Sequence, residues 1–435
     1  MKNLKYFLVI AFTLLTAYLS YWVPASNVLT YTLCYGILFG IYFLLLKELT
    51  DEDVKWGLYA AIAIRLVVVP ASNFTSNDIW RYLWDGNMQA IGYSPYTIVP
   101  KEVMDAGFNT FKGAGNLFHQ VLSIRESSVY PPFMQIVFYC CIKASLGNQI
   151  IAIGLMKFII AVAEIVSLSA ILQLLQKFSL PAKNIFVYAF NPLVIVELVA
   201  NAHFEALMIC FLLVSWLYYL QNKNKRAVFF YTLSITTYIL PIVFLPIILF
   251  RNNWKQNLKL LILLVFLSSL LGAIYFYGIN VRYTYLSSLQ LYFNQFEFNS
   301  SLFYWFNVLI PVRLQPTGGA ILSRILIAIP LLVLVYWSWV YRQLSIEKLL
   351  PKILVFWLLF MALFTVMNPW YLAPIIMLST FNKSYTALLW SALAIAGTII
   401  IRQLDSNLFS HAINSIWLIL LVVIFFWKDA KLLKS

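Results

Sequence analysis

The chain has 435 residues, of which 62% are apolar and only 11% charged, and its mean hydropathy is +0.84. A soluble domain runs at about half apolar and a quarter charged, so this chain could not cover a water-facing surface with polar groups and belongs in a bilayer. Its formal charge of +14 comes from basic residues set singly or in small groups at the ends of apolar runs. That is the pattern of cytoplasmic loops, not of a nucleic-acid-binding face.

Two lysines among the first five residues precede an apolar run that ends near Tyr21. With no small-x-small cleavage site after a short core, and with Tyr18, Tyr21 and Trp22 placed as an interfacial belt, the run reads as an uncleaved first transmembrane helix. Further apolar runs follow at 29–46, 56–72, 150–176, 185–200, 204–220, 228–250, 258–278, 321–341, 353–367, 371–381, 385–401 and 411–427, with weaker ones at 131–148 and 300–312. A span needs about 20 residues, so several are partial and the expectation is an all-α polytopic protein of roughly 11 to 14 spans. Cys34, Cys140, Cys141 and Cys210 lie inside apolar stretches without Cys-x-x-Cys spacing and read as small buried hydrophobes.

Basic clusters at Lys47/Lys55, Lys177/Lys183, Lys223/Lys225/Arg226, Arg251/Lys255/Lys259, Arg342/Lys348/Lys352 and Lys428/Lys431/Lys434 mark the cytoplasmic side. Residues 73–130 then fall outside, as do the turns at 201–205, 280–300, 368–370 and 403–410. Parity requires either that 131–148 be embedded without crossing or that one basic loop be misassigned, and 228–250, too short for two crossings, reads as a hairpin bent around Pro241. No composition shift separates a soluble domain, so residues 1–435 read as one integral membrane domain, with 73–130 as its one substantial extracytoplasmic loop.

Three polar islands stand out on that outer side. The first, Ser76 to Gly86, predicts a helix capped near Ser76 with Asp78, Arg81 and Asp85 at i, i+3 and i+7 on one face. Trp80, Leu83 and Trp84 on such a helix fit the headgroup region, either around a working pair of carboxylates or around an Asp–Arg pair that only satisfies itself. In the second, Asn191-Pro192 is followed by Glu197, Asn201, His203 and Glu205. A continuous helix would stack Glu197, Asn201 and Glu205, whereas a turn at the surface would solvate them. The third is Asn368-Pro369-Trp370-Tyr371, between two short apolar runs. Tyr130-Pro131-Pro132-Phe133 reads as a helix start, since proline is tolerated in a first turn.

Taken together, "NDIWRYLWDGNMQAIGYSPY" at 77–96, "YPP" at 130–132, "NPLVIVELVANAHFEALM" at 191–208 and "NPWYL" at 368–372 resemble the GT-C superfamily of membrane glycosyltransferases. The closest pattern is that of the bacterial polyprenyl-phosphate-mannose-dependent mannosyltransferases. The resemblance implies a GT-C-like helical bundle whose first outer loop forms part of the active site. It also implies an inverting transfer of a hexose, most readily mannose, from a polyprenyl-phosphate donor to a glycan or glycolipid acceptor. The reaction would take place on the outer face of a bacterial inner membrane, without a cofactor.

On that resemblance Asp78 is the general base, and Arg81, Tyr82, Asp85, Asn201, His203, Glu205, Trp370 and Tyr371 contact substrates. Asp85 would hold sugar hydroxyls or orient Arg81, and Arg81 or Arg282 would meet phosphate. The chain departs from the family pattern at Phe204-Glu205, where His-Asn-Asp is usual after His203 is aligned, and at Tyr238, where relatives often carry lysine. Asp78 and Asp85 could chelate a metal, but no spacing calls for one, and no metal site is expected. The alternative class is a secondary transporter or flippase, which would place acids near the bilayer midplane in two related halves.

Overall fold

The computed structural model describes residues 3–107, 111–251, 253–275, 279–294, 297, 298, 300, 302–403, 416 and 418–434. Among them the fold is helical, with a lone parallel bridge between Phe298 and Val366 as its extended pairing. Helices α1 (Leu4–Trp22), α2 (Val28–Glu48) and α3 (Val54–Val68) open the chain. Lys5 at the start of α1 pairs with Asp53, which also accepts from the Thr50 amide and the Trp56 indole, each at 2.9 Å. The N-terminus and the α2–α3 turn therefore share one end of the molecule.

Residues beyond α3 stay at the opposite end for some distance. Helices α4 (Asp78–Ala90), α5 (Pro100–Asp105) and α6 (Ala114–Phe118) build the large loop, followed by α7 (Pro132–Ala144) and the long α8 (Gln149–Lys177). Lys157 of α8 donates to the Val68 and Ala71 carbonyls at the far end of α3. Past the C-terminus of α8, the Lys183 amide donates to Asp51 at 2.8 Å, back at the Lys5 end. One crossing thus separates the two, and α7 lies against α4 and α8. At Gly86 the packing leaves no room for a side chain, because a Cβ there would sit 2.8 Å from the Phe138 carbonyl oxygen of α7.

The next span is broken. The helical stretch Ala182–Ala189, which ends in α9 (Phe186–Ala189), and the π-helical turn Val194–Ala200 meet at 58° across Asn191-Pro192. Pro192 has no amide to donate, and the Asn191 side chain caps the second half by accepting from the Leu193 amide at 3.0 Å. The break leaves the Ala189 carbonyl needing a donor in a dry interior, and Arg65 of α3 fills that need at 2.8 Å. Its charge is matched by Glu164 of α8 at 3.0 Å, whose other oxygen accepts from Tyr188 at 2.6 Å. Arg65, Glu164 and Tyr188 are all fully buried.

α10 (Glu205–Leu220) returns to the basic end, and α11 (Asn224–Thr237) comes back towards the loop. There the chain bends at Tyr238 and retreats through Leu240–Phe244 and α12 (Leu245–Leu249), with the Tyr231 hydroxyl donating to the Pro241 carbonyl at 2.7 Å. This is the expected hairpin. α13 (Trp254–Ala273), α14 (Ile279–Asn294), α15 (Leu302–Val308) and α16 (Gln315–Val340) follow. α17 (Ile346–Leu363) then leads to the Pro369–Leu372 turn, α18 (Ala373–Asn382) and α19 (Tyr385–Gln403).

Among the described residues five helices, namely α1, α2, α8, α13 and most of α16, are each long and apolar enough to cross a membrane, with a sixth span where the bent pair counts as one. The other expected spans are helices that are shorter or that carry charge at an end. Within the expected run 411–427, residues 411–415 and 417 lie outside the described residues, as does 404–410 of the expected turn.

Removing one member of the Arg65–Glu164 pair strands the other in the apolar interior. Arg65→Met is expected to cost about 3–5 kcal/mol, read as a lowered thermal midpoint in detergent. An unchanged midpoint would show that the pair carries no structural weight.

Candidate active site

Helix α4 begins at Asp78, whose amide is met by the Ser76 hydroxyl at 3.3 Å, and an acid in the first turn suits the helix dipole. Farther along, Arg81 donates to Asp85 at 2.8 Å, to the Ser123 carbonyl at 2.7 Å and to the Glu126 carbonyl at 3.1 Å. Asp85 also accepts from Gln135 of α7 at 3.0 Å. Both residues are buried, so this pair ties the loop and α7 to the helix from behind.

The expectation that Leu83 and Trp84 lie among lipid headgroups is corrected, because both are buried within the protein. Trp84 packs edge-on against Phe111 at 5.5 Å and near Phe118 at 6.1 Å, so the following loop folds over a face that an isolated amphipathic helix would give to lipid.

Asp78 points the other way and keeps 35% of its side chain exposed. Facing it is His203, and the local backbone explains how a residue from the second island gets there. The π-helical turn closes with the Asn201 amide on the Val196 carbonyl at 2.9 Å, and Ala202 then adopts a left-handed φ of 63°. This reverses the chain before α10, so Glu197, Asn201 and Glu205 do not stack on one helix face.

The buried His203 imidazole donates from Nδ1 to the Glu197 carbonyl at 2.8 Å. A carbonyl has no proton to give, so Nδ1 carries one and Nε2 is left to face Asp78, whose carboxylate oxygen lies 3.6 Å away. The third island completes the arrangement, with Trp370 stacked on His203 at a centroid distance of 3.7 Å and 16° between planes. Tyr371 stands edge-on to Trp370 at 6.0 Å.

Asn201 fixes the approach of the first island to the second. Its carbonyl oxygen accepts from the Thr75 amide at 3.0 Å and its amide donates to the Thr75 hydroxyl at 2.6 Å. Glu205 is wholly buried, and neither of its oxygens makes a hydrogen bond of normal geometry among the described residues. Tyr238, Asp78 and Glu197 are within electrostatic reach of it. Tyr82 and Tyr130 line the same region, with ring centroids 5.0 Å apart. Burial above all, reinforced by the Asp78 and Glu205 carboxylates, pushes both phenols well above the ordinary tyrosine range, so they remain protonated.

Asp78, His203, Glu205, Tyr82, Trp370 and Tyr371 are thus brought together. Arg81 and Asp85 sit behind them in their own network, and Asn201 holds the loop. The side chain of Arg282 lies outside the described residues. Two participants escaped the sequence-based candidate set. Glu197 was visible as an intramembrane acid, and here both its backbone carbonyl, at 2.8 Å, and its carboxylate, at 3.6 Å, face His203 Nδ1. Tyr238 owes its place to the bend before Pro241. Among the described residues no group of three or more His, Cys, Asp or Glu is arranged to hold a metal ion.

A partly exposed acid thus faces a histidine and an aromatic at one end of a helical membrane protein. Residues 9–252 match the MptA_B family, described as Alpha-(1->6)-mannopyranosyltransferase, N-terminal domain, and the chain belongs to that family. It is a membrane glycosyltransferase of the mannosyltransferase kind. The matched stretch includes Asp78, His203, Glu205 and Tyr238, while Trp370 comes from the half beyond it. No curated protein and no solved structure matches the chain.

Asn201→Ala leaves the Thr75 amide and hydroxyl without their partner, a loss of about 1–3 kcal/mol in the local closing equilibrium. Hydrogen exchange across residues 73–78 is expected to quicken while the core helices keep their protection. Unchanged exchange there would mean that Asn201 does not hold the loop.

Proposed function

We propose that the protein transfers mannose, with inversion, from a polyprenyl-phosphate-linked donor to a hydroxyl of a glycan or glycolipid acceptor, with Asp78 as general base. The observation that carries this reading is the convergence of three separately encoded segments on His203, at 3.6 Å from Asp78, 2.8 Å from the Glu197 carbonyl and 3.7 Å from Trp370. Of the three acids in the cluster, Glu197 and Glu205 are buried and Asp78 alone is substantially open. A base must reach the proton it removes, so exposure selects Asp78.

In the step itself the acceptor oxygen bonds to the anomeric carbon while the bond from that carbon to the phosphate oxygen breaks. The bonding pair leaves with polyprenyl phosphate, and the hydroxyl proton goes to Asp78. Phosphate leaves readily without protonation, so a single base suffices and no covalent enzyme intermediate is required. His203 Nε2, the unprotonated nitrogen of the tautomer that Nδ1 selects, faces Asp78 as an acceptor. It also provides the next stop for the proton afterwards. Inversion that gives the α-linked product named for the family requires a β-linked donor. The basic residues gather at the end away from Asp78, which supports a site facing away from the cytoplasm, in a bacterial inner membrane.

Purified protein in proteoliposomes, given polyprenyl-phosphate-mannose or polyprenyl-phosphate-glucose, is expected to transfer mannose. Asp78→Asn is expected to lower turnover by about 10²–10⁴-fold with the donor still bound. Near-normal turnover in that variant would remove Asp78 from the role of base.

A further inference from the structure

The π-helical turn does more than bring His203 round to Asp78. The Asn201 amide donates to the Val196 carbonyl at 2.9 Å and the His203 amide to the Leu198 carbonyl at 3.0 Å, each one residue farther back than an α-helix reaches. The carbonyl between those two, that of Glu197, takes the Nδ1 proton of His203 at 2.8 Å. The carboxylate of the same residue stands 3.6 Å from the same nitrogen. Glu197 thus meets Nδ1 twice, once with a carbonyl and once with a charge.

The carbonyl suffices to fix the tautomer, so the carboxylate adds something that a tautomer does not need. A negative charge at that range favours the imidazolium over the neutral ring. So does the indole face of Trp370, stacked at 3.7 Å, because an aromatic face attracts a cation. The other titratable groups add no positive charge. Glu205, Tyr82, Tyr130 and Tyr238 lie around Asp78, and the Tyr31 and Tyr35 phenols of α2 lie within electrostatic reach of Glu197. Arg81 is engaged by Asp85, Arg65 by Glu164, and Lys157 by the Val68 and Ala71 carbonyls.

Access decides the order of events. His203 is wholly buried, so an acceptor hydroxyl does not reach it, whereas Asp78 is open. A proton therefore comes to Nε2 by way of Asp78, across a 3.6 Å contact of the kind that shortens as substrates close a site.

We infer that Glu197 is a positioning residue for the transfer, holding His203 with carbonyl and carboxylate so that Nε2 draws the acceptor proton off Asp78. The role rests on the transferase reading above and deepens it. The proton moves from the Asp78 carboxyl to the Nε2 lone pair, which leaves Asp78 a carboxylate and His203 an imidazolium between two negative charges. Once product has left, the same proton returns to Asp78 and passes from that exposed carboxyl to water.

Two measurements on the full-length protein in proteoliposomes test the role. Nitrogen NMR of its three histidines, isotopically labelled and with His203→Gln for assignment, reads the ring itself. The wild type is expected to show Nδ1 protonated and Nε2 bare at high pH. Glu197→Gln is expected to keep that tautomer but to take its second proton about one pH unit lower. In mannosyl transfer, Glu197→Gln is expected to lower kcat about tenfold, the equivalent of one unit of proton affinity. The KM for the donor stays unchanged, and the acidic limb of the kcat profile moves to lower pH by a similar interval. Glu197→Asp, which keeps the charge, is expected to hold that limb near its wild-type position. A bare Nδ1 in the wild type would overturn the inference, whether or not any variant folds. So would sugar transfer in Glu197→Gln with the wild-type limb and an unshifted imidazole. A wild type that transfers no sugar at all would instead sink the transferase reading on which the role rests.

Discussion

A buried imidazole has two nitrogens to satisfy, and in this protein that requirement links the first large loop to the middle of the chain. His203 gives its Nδ1 proton to the Glu197 carbonyl, turns Nε2 to Asp78 and lies flat on Trp370. None of these residues is near another in sequence apart from the Glu197–His203 pair. The contact on Nδ1 also selects the tautomer, so the nitrogen that meets Asp78 is determined by a backbone carbonyl six residues upstream. A helix that continued through Asn201 would lose that carbonyl to its own ladder, so the turn at Ala202 is part of the site.

The turn in turn depends on the break one span earlier. Pro192 interrupts the ladder, and the peptide groups it frees lie where neither water nor lipid can bond them. The chain meets the need with two side chains, Asn191 from within the span and Arg65 from α3. Arg65 brings a charge, and Glu164 and Tyr188 absorb it. Lys157 plays a comparable part at the end of α3, where it covers the Val68 and Ala71 carbonyls. Ionisable groups in the interior of a membrane protein often mark a transport path. Here, among the described residues, these serve broken helix ends, and the acids of the candidate site gather at one end of the bundle, where a surface reaction needs them.

Much of this was legible in the sequence because charge is so scarce. The spacing of Asp78, Arg81 and Asp85 predicted the helix that α4 forms, and the bend expected within 228–250 is present at Tyr238. What could not be read was which face of α4 meets which neighbour. Periodicity shows that Leu83 and Trp84 are apolar partners for something, and protein and lipid are equally apolar. The turn at 201–204 was hidden for a different reason. Ala202 is an ordinary helix former, and its left-handed conformation is imposed by tertiary contacts, among them the Thr75–Asn201 bonds and the stacking of His203 on Trp370. Local propensity holds no trace of contacts with residues more than a hundred positions away.

The same scarcity separates scaffold from site. Where a carboxylate and a guanidinium meet inside the loop, as in Arg81 and Asp85, they cancel and become scaffold. Asp78 has the unprotonated Nε2 of an imidazole opposite it instead of a fixed cation, a nitrogen that can take up a proton. An ion pair closed within the protein yields structure. A charge left open towards the bilayer or the solvent yields a place for something else to bind, and its sign states what that partner must carry.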